Sequence, residues 1–138
     1  MIPPFHLAIP VKNLELCRTF YRDILKCQEG RSDTHWVDFN FFGHQLVIHK
    51  KNDFSSQQIL NPVDDHQVPV PHFGVVLSME DWELLSKHLK KNTIKFIIEP
   101  TIRFLGKPGE QATMFLKDPD CNVLEFKAFK DIGKLFEK

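Results

Sequence analysis

Two histidines and one glutamate stand where this chain could hold a divalent metal. His6 lies in Phe5-His6-Leu7-Ala8-Ile9-Pro10-Val11 and His72 in Pro71-His72-Phe73-Gly74-Val75-Val76-Leu77, and a small residue, Ala8 or Gly74, follows each two positions later. A single histidine on a strand is usually a packed or hydrogen-bonded residue. Two at equivalent points of a repeated pattern differ, because the pseudo-symmetry of a repeat brings equivalent strand positions together, and the small neighbours leave space above the sheet. Glu125 is the third element. In Val123-Leu124-Glu125-Phe126-Lys127-Ala128-Phe129, alternation puts Leu124, Phe126 and Ala128 on the core face and Glu125 with Lys127 on the other. A carboxylate inside an apolar strand is uncommon unless paired or ligating, and an ion pair with Lys127 or across the strands is the plain alternative. Two neutral imidazoles and a carboxylate make a facial set suited first to Fe(II) or Mn(II), with Zn(II) or Ni(II) as further options. Such a set leaves coordination positions open for water and substrate.

The elements that must position these groups follow one pattern twice. The first strand, Phe5–Val11, turns Leu7, Ile9 and Val11 one way and His6, Ala8 and Pro10 the other. Asn13 caps a helix whose apolar residues, Leu14, Cys17, Phe20, Tyr21, Ile24 and Leu25, keep helical spacing. Three strands are expected near 26–31, 34–42 and 45–50, with Gly43-His44 as the last turn. Residues 51–70 turn polar and lose periodicity, which reads as a linker or mobile loop. The pattern restarts with a strand at His72–Leu77, a helix from Glu80 to Asn92 with Trp82, Leu85 and Leu89 inward, and a strand at 94–98 ended by Pro100. A hairpin of Gln111–Leu116 and Val123–Phe129 follows, closed by the turn Lys117-Asp118-Pro119-Asp120-Cys121-Asn122. The fold class is therefore α+β: two βαβββ modules, about 4–50 and 71–129, in one domain spanning 1–138. The tail 130–138 is expected to form a short docking helix.

Composition removes several classes of function. Lys plus Arg and Asp plus Glu balance at 18 each, so neither a nucleic acid nor a membrane surface is indicated as partner. The apolar runs are strand-length, and the opening residues lack a cationic segment and a cleavage site, so the cytoplasm is the expected location. Cys17, Cys27 and Cys121 are odd in number and form no Cys-x-x-Cys pair, which argues against a disulfide framework or a thiolate zinc site. Cys17 reads as buried filler on its helix.

The repeated module, the two histidine strands and Asp118-Pro119-Asp120-Cys121-Asn122-Val123-Leu124-Glu125-Phe126 resemble the vicinal oxygen chelate superfamily over about residues 4–129. That superfamily includes glyoxalase I, extradiol dioxygenases, fosfomycin-resistance enzymes and bleomycin-resistance proteins. The resemblance implies a curved mixed sheet enclosing a cup-shaped site, with His6, His72 and Glu125 as metal ligands. Glyoxalase-like members add a fourth ligand from the last strand of the first module, where the pattern here meets Val47, which cannot ligate. The likeness is therefore to the three-ligand extradiol branch, acting on a small substrate chelated through vicinal oxygens. A glyoxalase-like lyase or isomerase, or a fosfomycin-resistance-type transferase, is the runner-up. A bleomycin-resistance-type ligand-binding protein without catalysis is the rival from another class.

Extradiol enzymes usually add a histidine and a tyrosine that orient and deprotonate the catechol. The one tyrosine here, Tyr21, sits on the first helix and away from the cup. The expected acid–base group is instead His49, which shares a strand face with Val47 and could alternatively take the fourth coordination position; His44 and His35 are nearby in sequence. His35, His66 and His88 otherwise read as exposed or turn residues. Gln111, Thr113 and Phe115, and Trp36, Asp38 and Asn40, are further cup-facing candidates, while Arg103, Glu110 and the loop Gly106–Gly109 could cover a ligand. Exposed sheet edges favour a homodimer.

Overall fold

The computed structural model describes residues 2–63 and 66–138; Asp64 and Asp65 of the expected linker lie outside the described residues. The chain divides into two compact units, Met1–Gln57 with Asp118–Asn122, and Gln58–Lys117 with Val123–Lys138.

In the first unit, strands β1 (His6–Val11), β2 (Gln28–Ser32), β3 (Trp36–Phe41) and β4 (His44–Lys50) form a mixed sheet in the order β1-β4-β3-β2. Its register pairs Ala8 with Val47 in parallel and Asp38 with Val47 antiparallel. Asn13 caps α1 (Leu14–Thr19) as its side chain accepts from Leu16 N at 3.1 Å, and a π-helical turn continues it over Phe20–Ile24. Period-two alternation then separates the faces. Val11, Val37, Phe39 and Ile48 are inside, and the helix adds Cys17, Phe20 and Tyr21 to that core.

The second unit repeats the plan. Strands β7 (Phe73–Leu77), β8 (Phe96–Arg103), β9 (Gln111–Lys117) and β10 (Val123–Phe129) run in the order β7-β10-β9-β8, with α2 (Met79–Lys91) following β7. Ser78 caps α2 by accepting from Asp81 N at 3.1 Å. Trp82, Ser86 and Leu89, one face at helical spacing, are buried with Met114, Leu116, Leu124 and Phe126. The indole Nε1 of Trp82 donates to Phe126 O at 2.9 Å and ties the helix to the last strand. Both βαβββ modules are thus present with the same strand order. No helix of the described residues is long and apolar enough to cross a membrane.

Three segments differ from their sequence reading. The strand expected at 94–98 does not end at Pro100: β8 runs through it, because Pro100 falls on an edge strand at the register irregularity between Ile98 and Thr101. The stretch 51–70 contains a two-stranded hairpin, β5 (Ile59–Val63) with β6 (His66–Val70), in which Pro62 and Pro69 sit on strands. Proline and a polar composition hide a two-stranded ribbon, because neither gives the alternation of a half-buried strand. The C-terminal tail forms one 3₁₀ turn, Ile132–Lys134, and not a longer helix. Asp131 caps that turn through Gly133 N, and a segment this short has too few helical bonds to propagate further.

The turn 118–122 belongs with the first unit through polar bonds that replace water. Asp118, 3% exposed, accepts from the Tyr21 hydroxyl at 2.9 Å, from Asn122 N at 2.9 Å, from Asn122 Nδ2 at 2.9 Å and from Asp120 N at 3.0 Å. Asp120 accepts from Lys12 N, Asn13 N and the Cys17 thiol. Burial first, then the neighbouring Asp118, pushes the Cys17 thiol above the thiol range and the Tyr21 hydroxyl well above the phenol range, so both stay protonated as donors. Asp118→Ala orphans several of these donors and should cost about 2–4 kcal/mol, against about 1 kcal/mol for Tyr21→Phe, which deletes one bond. Urea unfolding of the two variants checks the ranking.

Candidate metal centre

His72 and Glu125 meet in the second unit. His72 immediately precedes β7, and Glu125 lies on β10, opposite Gly74 in the parallel register. His72 Nε2 is 3.0 Å from Glu125 Oε2, and His72 Nδ1 is 2.6 Å from Pro69 O on β6. A carbonyl can only accept, so Nδ1 carries a proton and Nε2 is the nitrogen directed at the carboxylate. On its other side Glu125 Oε1 accepts from Thr113 Oγ1 at 2.8 Å. The Phe115 ring, paired across the ladder with Glu125, meets the His72 ring edge-to-face with centroids 4.9 Å apart. Val68, Ile98 and Val123 pack with Phe115 as a small apolar cluster.

Gly74 has a different reason from the one its size suggests. A Cβ built there would overlap the Glu125 carbonyl, so glycine makes room for the β10 main chain and not for a ligand.

The electrostatics follow from the geometry. The hydrogen bond to Glu125 raises the His72 value above its ordinary 6.5 against the opposing effect of burial. Burial acts to raise the Glu125 value, and the hydrogen bonds from His72 and Thr113 outweigh it, leaving the carboxyl below its ordinary 4.5.

His6 belongs to the first unit, at the exposed start of β1. Its Nδ1 is 2.8 Å from Gln45 Oε1, and Gln45 Nε2 donates to Asp38 Oδ2 at 3.3 Å. The carboxylate fixes which end of the Gln45 amide faces the ring, so His6 Nδ1 is the donor. Val47 is buried between Ala8 and Asp38 in the ladder. His49, also on β4, is exposed beside Pro10 and Trp36. His44 is occupied, because its Nδ1 accepts from Phe5 N at 2.8 Å; the His35 ring lies 2.9 Å from Thr34 Oγ1. Tyr21 is fully buried and its hydroxyl donates to Asp118.

The structure therefore brings together His72 and Glu125 from the expected ligand set. Among the described residues no group of three His, Cys, Asp or Glu is gathered that could hold a metal ion. The donor chemistry nevertheless suits a divalent cation: both histidines are anchored through Nδ1, which leaves Nε2 for coordination, and Glu125 has one oxygen held by Thr113 and the other turned to His72. Sequence reasoning found Thr113 and Phe115 by alternation. It missed Pro69, whose contribution is a main-chain carbonyl, and Gln45, whose role appears only with its two partners.

The glyoxalase/bleomycin resistance protein/dioxygenase superfamily model matches residues 4–126, and the chain belongs to that superfamily. It is similar to a glyoxalase/bleomycin resistance protein/dioxygenase from Alicyclobacillus acidocaldarius at 32% identity, over 97% of this chain and 96% of that one, with a TM-score of 0.79. A lactoylglutathione lyase from Agrobacterium tumefaciens has 18% identity and a TM-score of 0.68, over 99% and 97% of the two chains. The fosfomycin resistance protein FosX from Listeria monocytogenes has 18% identity and a TM-score of 0.66, over 93% and 94%. These last two share the fold. No curated protein matches the chain at a significant level.

In chelator-treated protein the His72–Glu125 pair should contribute about 1 kcal/mol, fully present between the ordinary values of 4.5 and 6.5. The contribution falls as pH drops through the depressed Glu125 value, and it falls as pH rises through the raised His72 value. Urea unfolding of wild type and Glu125→Gln across this range should give a difference largest inside that window.

Proposed function

We propose that the protein is a divalent-metal enzyme of the extradiol-dioxygenase-like kind, acting on a small substrate that chelates through two neighbouring oxygens. His6, His72 and Glu125 are the ligands in this reading, Fe(II) or Mn(II) is the metal, and the two modules work as one domain. The observation that carries it is the held pair of His72 and Glu125, whose outer atoms are fixed by Pro69 O and Thr113 Oγ1 while their inner atoms face each other at 3.0 Å. Val47 at the position equivalent to Glu125 supports three protein ligands and open positions.

The bound metal would supply Lewis acidity toward the substrate oxygens and, for iron or manganese, a route to dioxygen. The chain's own part is acid–base and positional. His72 Nε2 and Glu125 Oε2 share a proton in the metal-free protein, and its release frees both atoms to ligate. Pro69 O keeps the imidazole oriented through that change. His49, exposed on the strand face of Gln45 and Val47, is the group assigned to take the substrate's hydroxyl proton. Two buried free cysteines, Cys17 and Cys27, suit the reducing cytoplasm.

Protein purified without chelator should contain close to one divalent metal per chain, and His6→Ala and Glu125→Ala should each lose it, by elemental analysis. Oxygen uptake with a panel of catechols then identifies the dioxygenase. Metal without oxygen uptake points to lyase or transferase chemistry, and metal-free wild type sinks the enzyme reading in favour of a ligand-binding protein.

A homodimer belongs to the same proposal. The β5–β6 hairpin exposes Ile59 (73%), Leu60 (57%) and Val63 (47%), apolar surface that a second copy would cover. Light scattering should give twice the mass of one chain for wild type and a shift toward monomer for Leu60→Asp.

A further inference from the structure

The second unit has a cleft of about 470 Å³ whose walls come from the β8–β9 loop, the paired ends of β9 and β10 and the C-terminal turn. Phe104, Phe129 and Leu135 give it an apolar lining, and Lys107, Lys134 and Lys138 a basic one. Further positive charge lies on the aromatic rings: Lys127 Nζ is 5.7 Å from the Phe129 centroid, and the Arg103 guanidinium carbon is 5.0 Å from that of Phe104. The carboxylates nearby are already committed. Glu137 on the wall pairs with Lys134 at 2.8 Å, and Glu110 is turned to Gly106 N at 2.7 Å, closing its own loop. Lys107 has no carboxylate partner among the described residues.

A flat apolar lining under a basic rim selects for ligands with a flat apolar body and an anionic end. A cleft of this size is within the usual range of small-molecule sites, about 300–1,000 Å³. We propose that this cleft binds a small aromatic carboxylate, with the ring among Phe104, Phe129 and Leu135 and the carboxylate toward Lys107 and its neighbours. Phe129 lies four residues beyond Glu125 on β10, about 13 Å along the strand, so a bicyclic acid seated here stays clear of His72. The proposal is independent of metal binding.

The test is an amide NMR titration of chelator-treated, ¹⁵N-labelled full chain with 2-naphthoate, beside neutral 2-naphthylmethanol and acetate. Saturable shifts from 2-naphthoate centred on residues 104–111 and 129–137 are expected, with 2-naphthylmethanol and acetate each weaker by about fivefold or more, since each lacks one of the two recognised features. Lys107→Glu should weaken 2-naphthoate by about tenfold, more so at low salt, and the exposed Phe104→Ala by about threefold, both with the unliganded spectrum otherwise retained. The proposal is overturned by the absence of saturable shifts, by equal affinity for the alcohol, by shifts centred on His72 and Glu125, or by unchanged affinity in a folded Lys107→Glu variant.

Discussion

The contact of Gly74 with the main chain of Glu125 governs the second unit. In the parallel pairing of β7 with β10 these residues are partners, and any side chain at 74 would overlap the Glu125 carbonyl. Because strand side chains alternate with a period of two, a shift of one residue would send Glu125 into the core and Phe126 to the opposite face. The register that buries Phe126 is thus the register that presents Glu125. Trp82 reinforces it from the helix side by donating to Phe126 O. Core packing and site construction are one choice here, made by a glycine, a phenylalanine and an indole.

Hydrogen bonding then completes what register begins. An imidazole on a strand end retains rotation about its side-chain bonds, and a fixed acceptor on Nδ1 removes most of that freedom. His72 obtains its acceptor from the main chain of the β5–β6 hairpin, and His6 obtains it from the amide of Gln45, which is itself held by Asp38. The two solutions use different groups, and both anchor the ring through Nδ1. A two-stranded hairpin is marginal alone, so the burial of Val68 beside Phe115 and Val123 is what makes Pro69 O a fixed partner.

The legible parts of the sequence were those with strong periodicity. Alternation in 123–129 gave the two faces of β10, and the restart of the strand–helix pattern at His72 gave the second module; both agree with the observed strands and sheet order. Asn13 as a cap was equally readable, because capping depends on one side chain and its near neighbours. The illegible parts depend on distant partners. Pro69 acts through a carbonyl that every residue possesses, and the β5–β6 ribbon carries prolines that read as breaks. Asp118 in an Asp-Pro turn looks like ordinary solvated turn chemistry, yet it is buried under Tyr21, a residue 97 positions away in the chain. In the sequence Gly74 reads as space for a ligand, and the β10 backbone is what explains it.

The repeat also shows how one frame supports two chemistries. Val47 and Glu125 occupy the same register point, opposite Ala8 and Gly74 respectively. Their antiparallel partners are exchanged in polarity: Asp38 faces Val47, and Phe115 faces Glu125. Each pair therefore holds one carboxylate and one apolar group, with the carboxylate on the central strand in the second unit and one strand further out in the first. From β10, Glu125 reaches His72 directly; from β3, Asp38 reaches His6 only through Gln45. A carboxylate in direct contact with Nε2 is placed to share a metal with the ring, whereas one acting through an amide on Nδ1 can only orient it. The difference of one strand separates a carboxylate that meets an imidazole directly from one that only orients it through an amide.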